Sequence, residues 1–114
     1  MKRTKEKCPY HCEIEAAFAV IGGKRKARII SHIGDGKPRF NQLRDILENV
    51  SPRMLAKQLR ELEEDGLVIR KMHREIPPRV EYELTKTGRA FIPILDNISD
   101  WVIEYCPDAA QKIE

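Results

Sequence analysis

No stretch of this sequence is apolar enough to cross a bilayer: the longest unbroken run, Ala16 to Ile21, is six residues, against about 20 for a spanning helix. Cysteine is scarce and odd in number, three in 114 residues. Without framework spacing, these cysteines point to reduced thiols rather than a disulfide-stapled secreted fold. Aromatic residues make up only 6%. A glycine-rich phosphate loop, a His-Glu-x-x-His pair and a serine set as a nucleophile elbow are all missing, so no enzyme class is indicated. Lys2, Arg3, Lys5 and Lys7 open the chain as a secretory signal would, but Glu13 and Glu15 stand where an apolar h-region belongs. The expected location is therefore the cytoplasm, with no membrane partner.

What is present is charge and periodicity. The 21 basic and 18 acidic side chains, with 41% apolar residues, describe one globular domain over residues 1–114, large enough for a single core. A net charge of +3 decides little, but its distribution is uneven. Residues 1–30 hold eight Lys/Arg against three Asp/Glu, whereas residues 81–114 hold three against seven. Such asymmetry suits a polyanion on one face.

Ile14, Ala17, Phe18 and Ile21 share one helical face that stops at Gly22-Gly23. A second helix from near Lys24 carries Ala27, Ile30 and Ile33 and stops at Gly34-Asp35-Gly36; Phe40, Leu43, Ile46 and Leu47 mark a third. The clearest boundary follows: Ser51 can cap the free amides of a first turn, and Pro52 suits the first helical position. That fourth helix runs through Leu55, Leu59 and Leu62 to Asp65-Gly66. Leu67 to Arg74 and Arg79 to Leu84 read as two strands, joined by Glu75-Ile76-Pro77-Pro78, whose prolines cannot donate to a ladder. From Thr85 a last helix, about residues 86–105, is expected to follow. The predicted fold class is mainly α with a small β-hairpin (α+β), a winged helix-turn-helix dimerising through its terminal helices, with a flexible N-terminal arm over about residues 1–10.

With the leucine stripe of the fourth helix facing inward, Arg53, Lys57 and Arg60 cluster on the opposite side and Gln58 lies on a flank. Arginine and lysine bond phosphate oxygens or guanine edges, and glutamine pairs with adenine. Ser51, Pro52, Arg53, Lys57, Gln58 and Arg60 are thus the candidate recognition set. The hairpin adds Arg70, Lys71, His73, Arg74 and Arg79 as a candidate wing, and Lys24, Arg25 and Arg39 as supporting phosphate contacts complete the set. The competing reading is a solvated polar face on an ordinary amphipathic helix, since Glu61, Glu63 and Glu64 interrupt the basic character. On the last helix Phe91, Ile98 and Tyr105 recur every seven residues, with Ile94 or Leu95 and Trp101 or Val102 between them. This is the seam of a helix packed on a second helix, which Phe18 of the first helix could join, giving a homodimer.

Seven blocks in order carry a resemblance over most of the chain: Cys8-Pro9, Ile21-Gly22-Gly23-Lys24, Arg39-Phe40-Asn41-Gln42-Leu43, Ser51-Pro52-Arg53-Met54-Leu55, Gln58-Leu59-Arg60-Glu61-Leu62-Glu63, Asp65-Gly66-Leu67-Val68, and Pro77-Pro78-Arg79-Val80-Glu81-Tyr82-Glu83-Leu84-Thr85. Together these resemble the HxlR-type winged-helix transcriptional regulators. The resemblance implies a homodimer on palindromic or direct-repeat operator DNA, with the helix from Ser51 as reader and the Pro77-Pro78 hairpin as wing. One departure is Arg25, where such proteins usually carry an aromatic residue. Cys8 matches the N-terminal cysteine that some family members use to sense oxidants or electrophiles. In that case pairing with Cys106 of the other subunit would move the dimer helices; the plainer alternative is a reduced, inert thiol. Cys8, His11 and Cys12 lack the second ligand pair of a zinc site, so no metal or cofactor is expected. His32 is expected to pack and His73 to touch the wing's partner. A winged-helix protein-interaction module without DNA binding is the alternative function.

Overall fold

A computed structural model describes residues 12–23 and 25–111. Lys24, the N-terminal arm with Cys8 and His11, and the last three residues lie outside them. The elements run α1 (Glu13–Ile21), α2 (Lys26–Ile33), α3 (Phe40–Ile46), α4 (Pro52–Glu64), β1 (Val68–His73), β2 (Arg79–Leu84), α5 (Lys86–Ala90), α6 (Ile92–Tyr105) and α7 (Pro107–Gln111).

Local chemistry fixes α4. Ser51 is extended, and its Oγ accepts from the Met54 amide at 3.0 Å, while Pro52 fills the first turn at no hydrogen-bonding cost. The preceding turn needs a left-handed residue, supplied by Asn49 at φ 66°. At the far end Gly66, at φ 83°, lets the chain reverse into β1. The inward leucines Leu55, Leu59 and Leu62 are at most 1% exposed and meet Ile29, Ile30 and Ile33 of α2, Leu43 and Leu47 of the α3 segment, and Val68, Tyr82 and Leu84 of the hairpin. Each such side chain contributes about 2 kcal/mol by leaving water, so this stripe sets which way α4 faces.

The strands pair antiparallel with Val68 opposite Leu84, Arg70 opposite Tyr82 and Met72 opposite Val80. Tyr82 and Leu84 enter the core on one face. The other edge of β2 receives one further bond, from the Tyr82 amide to the Pro38 carbonyl at 2.9 Å, which ties the segment before α3 to the wing. Thr85 then fastens the end of the hairpin, accepting from the Gly88 amide at 3.0 Å and donating to the Gly66 carbonyl at 2.6 Å.

The C-terminal segment departs from expectation. The helix expected over about 86–105 is two helices, α5 and α6, meeting at Phe91. Pro93 has no amide to donate, and in a continuous helix its ring would strike the Arg89 carbonyl, so the axis breaks. Phe91 and Leu95, both half-buried, pack against the core. In addition, Cys106 is followed by the short α7, which periodicity did not indicate.

No residue of α1 or α6 is buried. Phe18 is 63% exposed and Trp101 56%, and Ile94, Ile98 and Tyr105 are likewise exposed; Val102 is half-buried. Trp101 and Tyr105 stack obliquely with ring centres 6.3 Å apart.

Candidate nucleic-acid interface

The outward face of α4 is as the leucine stripe requires. Arg53, Lys57 and Arg60 are exposed, and none forms a hydrogen bond or ion pair with another described residue. With Ser51 and Met54 they line one shallow depression of about 420 Å³. Met54 was not singled out in the sequence. It lies three residues before Lys57 on the same side, which is the signal that would have found it. Arg60 also reaches a second notch, of about 230 Å³, shared with Ala56, Glu63, Tyr82 and Arg70 of β1, so the helix and hairpin surfaces are continuous.

Gln58 does not belong to this face. Expected on an accessible flank, it is only 8% exposed, and its Oε1 is buried without a hydrogen-bond partner. It stands three residues after Leu55 and four before Leu62, which carries it inward with them.

The hairpin is less open than its composition suggests. Only Arg74 of the expected wing cations lies in the loop; Arg70, Lys71 and His73 are on β1 and Arg79 begins β2. Lys71 Nζ is 2.7 Å from Glu83, which Lys37 also approaches at 3.7 Å. His73 Nε2 is 2.9 Å from Glu81, and Arg79 is held by Glu75 at 3.1 Å and Glu81 at 3.6 Å. Lys71, His73 and Arg79 are therefore internally paired. The Lys71 and Lys37 contacts hold the Glu83 carboxyl below the usual carboxylate range. Arg70 and Arg74 are exposed without an ion-pair partner among the described residues.

Of the supporting cations, Arg39 is exposed at the start of α3. Arg25, half-buried, is engaged within the chain: its Nη2 donates to the Asn49 carbonyl at 3.0 Å, and Lys26 Nζ pairs with Glu61 of α4 at 2.9 Å. His32 is at the surface rather than packed, its pKa lowered by partial desolvation and by Arg28. Cys12 and Cys106 are free and half-buried.

Residues 20–110 match the HxlR-like helix-turn-helix family. The chain belongs to that family. It is 42% identical over 103 residues to the HTH-type transcriptional regulator YdeP of Bacillus subtilis (strain 168), covering 90% of this chain and 80% of that one. Among solved structures, the redox regulator HypR in its reduced form superposes with a TM-score of 0.80 at 42% identity, over 90% of this chain and all of that one. The reduced transcriptional regulator YodB of B. subtilis gives 0.77 at 32% identity, over 87% and 94%. YdeP and YodB are transcriptional regulators and HypR a redox regulator, and the fold is a winged helix-turn-helix in which α3 and α4 form the helix pair and β1–β2 the wing.

Proposed function

We propose that this HxlR-like chain binds operator DNA as a homodimer, laying α4 in the major groove with the hairpin along the adjoining phosphates. The observation that carries this reading is the exposed trio Arg53, Lys57 and Arg60, unpaired among the described residues, on a helix whose opposite face is sealed in the core. A cation held at the surface without a carboxylate partner is available to phosphate oxygens and to the O6 and N7 of guanine. Arg60 and Arg70 line one notch and extend the positive surface from helix to wing. Arg74 and Arg39 supply further contacts, while Lys71, His73 and Arg79 shape the wing through their carboxylates.

The exposed side chains of α1 and α6 support a second copy as the cover for Phe18, Ile94, Ile98, Trp101 and Tyr105. Two-fold pairing would present two α4 helices about 34 Å apart, one turn of B-DNA. The likeness to the redox regulator HypR supports an oxidant or electrophile signal, with Cys8 as the responding thiol. Such a regulator works in the cytoplasm beside the chromosome and needs no cofactor. Selection of bound duplexes from a randomised pool tests the reading: related half-sites spaced by one helical turn are expected, and recovery of unenriched sequence contradicts it. A Cys8→Ser variant that responds to peroxide as the parent does would remove the thiol from the proposal.

A further inference from the structure

Lys26 of α2 and Glu61 of α4 form an ion pair: Nζ to Oε1 is 2.9 Å, and the lysine side chain is only 11% exposed. Glu61 has other suitors. It lies four residues after Lys57 and next to Arg60, within i,i+4 reach on the helix surface, although lysine before glutamate is the weaker order of such a pair. The Lys26 contact first, then the charges of Lys26, Lys57 and Arg60, holds the Glu61 carboxyl below the usual carboxylate range. One carboxylate thus stands between an inward partner on α2 and the outward cations of α4.

We propose that Lys26 is a positioning residue whose role is to draw the Glu61 carboxylate toward α2, away from the DNA-facing cations, so that Lys57 and Arg60 keep their charge for phosphate. This rests on the DNA-binding reading above. Lys26 touches no DNA in this scheme. Without it, Glu61 turns back one helical turn and neutralises Lys57, and one phosphate contact is lost. Arg25 differs in kind, because it holds the backbone of the turn and competes for no carboxylate among the described residues.

The test compares the parent with Lys26→Gln, Glu61→Gln and the double variant, by fluorescence anisotropy on a duplex recovered from a randomised pool, across a salt series. Lys26→Gln is expected to bind roughly three- to tenfold more weakly at low salt, with the log–log salt slope shallower by about one. Glu61→Gln binds at least as well as the parent, and the double variant recovers both affinity and slope. A brace that merely held two helices together would leave the double variant no better than Lys26→Gln, and that result overturns the proposal, as does a Lys26→Gln protein that binds like the parent. A parent that shows no salt-sensitive binding overturns the DNA reading and this inference with it. An unrescued double variant beside a salt-sensitive parent overturns the inference alone.

Discussion

Arg25 reaches across 24 residues to Asn49, its Nη2 donating to the Asn49 carbonyl at 3.0 Å. Asn49 is the left-handed residue that turns α3 into α4, so this bond ties the start of α2 to the joint that aims the proposed reader. Arg25→Ala should lower stability by about 1 kcal/mol, the ordinary net value of one hydrogen bond, read as a shift in urea midpoint. The salt slope of DNA binding should not change. A slope shallower by about one would mean that Arg25 contacts phosphate after all.

Gln58 buries an amide oxygen with no partner on the core side of α4. Gln58→Leu should therefore raise stability by about 1 kcal/mol, since removing an unsatisfied buried acceptor relieves its desolvation cost. Operator affinity should stay within twofold of the parent, a margin of about 0.4 kcal/mol. A large loss of affinity in a stable variant would return Gln58 to the base-reading set.

Gly88 is a packing constraint. A Cβ there would lie 2.2 Å from the Leu67 carbonyl oxygen, a backbone atom that cannot rotate aside. Gly88→Ala should cost about 2 kcal/mol or more, or roughly 10 °C in melting temperature for a domain of this size. An unchanged melting curve would show that α5 sits off the hairpin in solution.

Legibility in the sequence followed the range of each interaction. The Ser51-Pro52 start of α4 was readable because capping acts within one turn, and the hairpin because alternation and two prolines leave few other structures. The break at Phe91 was also encoded, in Pro93, but the apolar spacing on either side masked it. Gln58 misled by its polarity: its position borders the Leu55–Leu62 stripe, and geometry outweighed residue type. The Arg25–Asn49 and Lys26–Glu61 contacts join segments far apart in the chain, and the carboxylate pairing of Lys71 and His73 depends on strand register. Neither leaves a local pattern to read.

The exposed side chains of α1 and α6 should be covered by a second copy. Trp101→Glu places a charge in the centre of the α6 surface, where like charges would face each other across a two-fold axis. Sedimentation equilibrium should show a dimer for the parent and a folded monomer for the variant, with operator affinity reduced. A parent that is monomeric at micromolar concentration would contradict the dimer.

The most direct measurement is the salt dependence of duplex binding by the parent and by Arg53→Ala/Lys57→Ala. Log affinity for the parent should fall linearly with log salt concentration, and the double substitution should flatten that slope by about two while leaving fold and oligomeric state intact. Equal slopes for the two proteins, or no duplex binding by the parent in dilute buffer, would show that the outward face of α4 does not meet DNA.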